Sequence, residues 1–222
     1  MGFTGIPADG FQFLMEIRFN NNRQWFDQNR ERFQTSLRDP LYALATELAP
    51  TAQAIDPQFE VRPNRVVARI YRDARRSKGE FYRDHLWLSF KRQGEANGAA
   101  LSYYFYLTPE EIGWGLGFYE QSVESMNRFR ARVDAKPELF RSIISDPALR
   151  AYKLEGESYA KPKRPGMAED LALWYNKKSF STEYIEPVSA AAFSPDLLGR
   201  LQRMMLDHKR LYQFVNMMEV QP

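Results

Sequence analysis

Two stretches, LSYYFYL (101–107) and EIGWGLGFY (111–119), alternate in character at every residue and are joined through TPEE. A period of two is the signature of a strand with one face on a core, and so short a link forces the two strands to pair as an antiparallel hairpin. Leu101, Tyr103, Phe105 and Leu107 share one face, with Ser102, Tyr104 and Tyr106 on the other. In the second stretch Ile112, Trp114, Leu116 and Phe118 oppose Gly113, Gly115 and Gly117. A third alternation sets Val66, Ala68 and Ile70 against Arg65, Val67, Arg69, Tyr71 and Asp73. The pattern predicts strands over 65–72, 101–107 and 111–118 as antiparallel neighbours, with Ile70, Phe105 and Trp114 on the buried face.

Helical spacing brackets this meander. Before it, Phe11, Leu14, Met15 and Ile17 or Arg18 recur at helical intervals, and Asn20, Asn21 and Asn22 end that run and can cap the next. Trp25, Phe26, Asn29 and Phe33 then form one stripe; a helix opened by Pro40 carries Leu41, Leu44 and Leu48 and closes before Pro50. After the hairpin, helices are expected over 121–135, 137–144 and 168–175, then a last strand in SFSTEYIEP. Ser194 and Pro195 open one long helix with the stripe Leu198, Leu201, Met205, His208, Leu211, Val215 and Met218. The reading is a single α+β domain over 1–222, an antiparallel sheet with helices before and after it. No apolar run approaches the roughly 20 residues of a membrane span, and the N-terminus lacks the features of a signal peptide. With no cysteine, disulfides and thiolate chemistry are excluded, and a cytoplasmic protein without a membrane partner is expected.

Charge is uneven. Between Arg62 and Arg83 stand eight basic residues and two acidic ones, a local +6 in a chain of +3. Arg69, Arg72, Arg75 and Lys78 are the candidate ligands for an anion, because guanidinium groups grip phosphate or carboxylate in bidentate fashion. Tyr71, Tyr104 and Tyr106 would edge such a site, over a floor of Gly113 and Gly115. Both features have plain alternatives: tight packing against the glycines, and pairing of the arginines with Asp73, Glu80 and Asp84. The expected partner is a small phosphorylated or carboxylated ligand. Nucleic acid ranks second, given the modest total charge, and a structural or partner-binding domain third. YAKPKRPG (159–166) reads as a solvated basic loop, and Asn29 and Arg30 either serve the site or cap and pair locally. His208 sits on an apolar stripe, which leaves His85 as the one candidate general base; no metal site and no cofactor are expected. No P-loop, G-x-S-x-G or H-E-x-x-H occurs, so no reaction is assigned.

NNNRQWFDQNRERF, RIYRDARRSK and KPKRPG…LWYNKKSF, in that order, resemble the motifs of a widespread bacterial and fungal family of uncharacterised proteins, a domain of unknown function. That family reads close to NNNREWF at the first motif and RIYRDVRFSKDKTPYK at the second. The resemblance implies a shared site whose matching positions are Arg69, Arg72, Asp73, Arg75, Ser77 and Lys78, which brings Asp73 and Ser77 into the candidate set. Arg76 stands where the family has Phe, and up to the tyrosine KGEFY replaces KDKTPY, one residue shorter and without its second lysine and its proline. The family supplies no reaction.

Overall fold

A computed structural model describes residues 2–73, 80–95, 100–120 and 122–220. Five strands make an antiparallel sheet in the order β1-β2-β3-β5-β4: β1 (Leu86–Phe90), β2 (Leu101–Leu107), β3 (Glu111–Phe118), β4 (Lys153–Glu155) and β5 (Ser181–Pro187). The β2–β3 hairpin is the one the alternation predicts, with every second residue of β2 buried. The Thr108 amide closes the turn on the Glu111 carbonyl at 2.9 Å. In β3 both faces are buried, glycines included.

The expected strand over 65–72 is not formed. Pro63 opens a single helical turn, α5 (Pro63–Val66), so the segment begins as helix. Beyond it the chain makes only isolated bridges, Val67 with Leu88 and Tyr71 with Tyr82. The neighbour of β2 is instead β1, in which Leu86, Leu88 and Phe90 are buried and the alternation is five residues long. Ile70, Phe105 and Trp114 are nonetheless all in the core.

By compactness the chain divides into two units. The first comprises Met1–Phe90, Tyr104–Trp114 and Ile185–Arg203. It holds α1 (Ala8–Phe19), α2 (Arg23–Gln28), α3 (Arg30–Phe33), a π-helical turn (Gln34–Arg38) and α4 (Asp39–Ile55). Helix α1 buries Gly10, Phe13, Leu14 and Ile17 at helical spacing and leaves Met15 exposed, contrary to the predicted stripe. Asn22 caps α2 by accepting from the Trp25 amide at 3.0 Å. Phe13 lies 5.3 Å from Trp25 and 5.7 Å from Phe33, so the stripe of α2 and α3 closes on α1. Helix α4 does not stop before Pro50. It continues to Ile55 because Ala52 and Ile55 prolong the buried stripe of Leu41, Leu44 and Leu48, and that burial outweighs a proline inside the helix.

The second unit comprises Lys91–Tyr103, Gly115–Tyr184 and Met204–Pro222. Helices α6 (Val123–Ala135), α7 (Pro137–Ile144) and α8 (Glu169–Tyr175) surround a knot of rings. Phe129 is 5.3 Å from Phe140 and 5.4 Å from Phe180; Phe140 is 5.0 Å from Phe214. The C-terminal helix is two, α9 (Asp196–Asp207) and α10 (Lys209–Val215), broken at His208. Leu197, rather than Leu198, is the fully buried residue at its start. Among the described residues no helix is long and apolar enough to cross a membrane.

Candidate functional site

Residues 68–72 and 81–87 of the first unit run antiparallel. The Arg72 amide bonds to the Phe81 carbonyl at 2.9 Å, the Arg83 amide to the Ile70 carbonyl at 2.8 Å, and the Ala68 amide to the Trp87 carbonyl at 2.8 Å. Between the last two bonds only Arg69 stands on one side, while Asp84, His85 and Leu86 stand on the other. Two extra residues make a bulge, which interrupts the ladder and explains why the alternation does not become a strand.

The asparagine-rich motif clamps this ladder. Asn21 Oδ1 accepts from the amides of Phe81 (2.8 Å) and Tyr82 (2.9 Å), and its Nδ2 donates to the Tyr82 carbonyl at 2.9 Å. Phe26 stacks on the Tyr82 ring with centroids 4.2 Å apart and planes 17° apart. Tyr71, which is 47% exposed, stands edge-on to Phe26, and its hydroxyl accepts from Arg30 Nη1 at 3.3 Å. That bond, before the neighbouring Asp27, raises the Arg30 pKa further. Burial raises the Tyr82 phenol pKa as well. Asn29 caps locally, donating to the Trp25 carbonyl.

Of the predicted site residues, Arg72 is half-buried and engaged. Its Nε donates to the Tyr82 carbonyl at 2.9 Å, and Nη2 lies 3.2 Å from Glu80 and 3.6 Å from Asp84. Arg69 is exposed, and its guanidinium has no partner among the described residues. Asp73 is exposed, while Arg75, Ser77 and Lys78 lie outside the described residues. Tyr104 and Tyr106 stack on one another at 6.5 Å, and the Tyr106 hydroxyl donates to Glu111 at 3.2 Å. The glycine floor is filled. A Cβ on Gly113 would lie 2.4 Å from the Tyr106 ring, and one on Gly115 would lie 1.9 Å from the Thr182 carbonyl oxygen. Packing by a cross-strand ring and by a neighbouring strand's backbone accounts for both.

Arg18, Glu110 and Arg23 carry no sequence signal of their own, whereas Asp84 and His85 are singled out by the sequence. Arg18, at the end of α1, holds Asp84 through Nε (2.8 Å) and Glu110 through both terminal nitrogens (2.5 and 3.2 Å). His85 Nδ1 is 3.1 Å from Asp84 Oδ1. Burial raises the Asp84 pKa, but hydrogen bonds from His85 and Arg18 outweigh it and hold the carboxyl below its ordinary value. Arg83 donates to the carbonyls of Arg69 (2.8 Å) and Tyr71 and lies over the Trp87 ring at 5.1 Å. Arg23 covers Phe81 at 5.3 Å.

The third motif is in the second unit and fixes the basic loop that sequence alone leaves solvated. Asn176 accepts from the Tyr159 amide through its carbonyl (2.9 Å) and from the Lys163 amide through Oδ1 (2.8 Å). Lys163, Arg130 and Lys178 lie 4.1, 5.6 and 6.0 Å from the Tyr159 ring centre. Arg130 is buried and spends its nitrogens on the carbonyls of Tyr175 and Lys177 and on Asn127.

The chain belongs to the conserved hypothetical protein family DUF2461, whose model matches residues 9–214 and so spans all three motifs. No curated protein matches it.

Proposed function

We propose that the protein binds a small anionic ligand, phosphorylated or carboxylated, on the Arg69–Asp84 face of its first unit. One observation carries this: Arg69 keeps an exposed guanidinium that is not spent on any described carboxylate or carbonyl, beside Tyr71 and within the +6 stretch. Arg72 and Arg83, by contrast, are consumed in holding the ladder, which makes them supports of the site and not its free ligands. A cation left uncompensated in a field of like charge is stabilised by an arriving anion, and bidentate geometry gives selectivity for carboxylate or phosphate. Zero cysteines and the lack of a membrane-crossing helix among the described residues fit a cytoplasmic role.

A second reading, single-stranded nucleic acid, draws on three arginine–aromatic pairs, Arg23 with Phe81, Arg30 with Phe26 and Arg83 with Trp87, and on Phe81 being 42% exposed. Calorimetric titration of the wild type and Arg69→Ala with inorganic phosphate, citrate and a thymidine oligonucleotide separates the two. The small-anion reading expects phosphate or citrate to bind the wild type and to bind Arg69→Ala about 10- to 100-fold more weakly, the weight of one charge-assisted contact. Equal binding by the two proteins, or binding of the oligonucleotide alone, overturns it.

A further inference from the structure

Resting on that reading, we propose that Asp84 and His85 form a general-base pair that hydrolyses a carboxylic ester whose anionic group is held at Arg69. The geometry begins with the tautomer. Asp84 is an acceptor 3.1 Å from His85 Nδ1, so Nδ1 carries the proton and Nε2 keeps its lone pair. Nε2 makes no hydrogen bond with any described residue, and the side chain is 43% exposed. The base is therefore oriented on one side and open on the other, as a proton acceptor in catalysis must be.

The orienting carboxylate is itself fixed. Asp84 Oδ2 accepts from Arg18 Nε at 2.8 Å, Arg72 Nη2 stands 3.6 Å from Oδ1, and Arg18 is anchored by Glu110. Such a carboxylate stays ionised and steadies the imidazolium that forms when Nε2 takes a proton. The ring of His85 lies against Trp87, with centroids 5.8 Å apart and planes 21° apart. Arg83 rests on the same indole and bonds to the Arg69 carbonyl, so base and anion site belong to one contiguous cluster. The bulge gives the arrangement its purpose. It is the two extra residues opposite Arg69 that bring Asp84 and His85 to this position, and bulges re-aim side chains in this way beside active sites. The charged groups that meet Asp84 or the Trp87 ring against which His85 lies are Arg18, Arg72 and Arg83, with Glu110 on Arg18, Glu80 on Arg72 and Arg69 across the bulge, four cations against three carboxylates. Their positive excess suits the oxyanion of acyl transfer.

In the step, a water molecule gives a proton to His85 Nε2 as its oxygen bonds to the ester carbonyl carbon. Collapse of the tetrahedral adduct breaks the bond to the alcohol oxygen. That oxygen leaves with the electron pair and takes the proton back from Nε2. Acid and alcohol are the products, and water is the only co-reactant.

The test follows release of 4-nitrophenolate from mono-4-nitrophenyl succinate and from neutral 4-nitrophenyl acetate, using the full chain. The wild type should prefer the succinate ester by at least about tenfold in kcat/KM, the weight of one charge-assisted contact. Arg69→Ala should erase that preference. His85→Gln should lose about 100-fold or more, the usual weight of a general base. In Asp84→Asn the ascending limb of the pH–rate profile should move to lower pH, since the imidazolium loses its partner. Succinate hydrolysis by His85→Gln at the wild-type rate, or none by the wild type above buffer, overturns the proposal. Calorimetry with free succinate then assigns the failure. If succinate binds the wild type and not Arg69→Ala, only the catalytic step is wrong; if it binds neither, the anion site is wrong too. Should His85→Gln fail to fold, succinate added to the isotope-labelled wild type decides, because binding at Arg69 must shift the His85 ring resonances and unmoved resonances refute the pairing.

Discussion

Removing the Asn21 side chain should loosen the ladder that carries the candidate site, and the cost can be worked bond by bond. Asn21→Ala deletes one acceptor serving two amides and one donor serving a carbonyl. The Phe81 amide belongs to an exposed residue, so water replaces the lost acceptor at little cost. Tyr82 is 3% exposed, and its stranded amide costs about 1–3 kcal/mol. The Tyr82 carbonyl keeps its bond from Arg72 Nε, so the lost donor there costs about 0.5–1.5 kcal/mol. The total of about 1.5–4.5 kcal/mol lowers the melting temperature by roughly 3–18 °C in a chain of this size. Asn22→Ala is the comparison, because it removes only a helix cap worth about 1 kcal/mol. Circular dichroism melts give the totals, and hydrogen exchange at the Tyr82 amide reads the site itself. If Asn21→Ala melts no lower than Asn22→Ala and leaves Tyr82 exchange unchanged, the clamp is not what holds the ladder.

Arg72→Ala should cost about 1–2 kcal/mol in a urea melt, short of the 3–5 kcal/mol of a broken buried pair, since Glu80 is largely exposed and its attraction is screened. Gly115→Ala should destabilise by about 2–3 kcal/mol and Gly113→Ala by less, because the first meets a backbone carbonyl and the second a ring that can swing; equal losses in thermal melts would contradict this. His208 is fully buried, and burial pushes its pKa down to about 4 although its Nδ1 donates to the Met204 carbonyl at 2.8 Å. Between the ordinary value near 6.5 and that value the unfolded chain binds a proton that the folded one refuses, so stability falls as pH falls. The drop from pH 7 to pH 5 should be about 2 kcal/mol by urea melts and should vanish in His208→Gln. Fluorescence anisotropy should find no single-stranded oligonucleotide bound more tightly than about 10 μM at physiological salt; submicromolar binding would put nucleic acid first.

What was legible in the chain follows from how local each determinant is. The β2–β3 hairpin is announced by residues two apart and a link of three residues, and it forms where expected. The segment after Arg65 has the same alternation, yet Pro63 nucleates a turn of helix and a two-residue bulge breaks the ladder. Neither event is visible in periodicity, because a bulge is defined by the partner strand. Within the stretch of charge excess Arg69 and Tyr71 are both exposed, whereas Arg72 is half-buried and engaged. Asn21, Arg18 and Glu110 were out of reach for the opposite reason. They meet residues 60 to 92 positions away, and only the fold brings them together. The glycines of β3 suggested a bare floor because their covers, the Tyr106 ring and the Thr182 carbonyl, come from other strands.

The central claim, an anion held at Arg69, is tested most directly by following backbone amide resonances while inorganic phosphate is added to the isotope-labelled chain. The account predicts the largest shifts at residues 69–72 and 81–85, and their loss in Arg69→Ala. Shifts concentrated at 159–164 and 177–178, around the other cluster of cations, or the same shifts in Arg69→Ala, would contradict it.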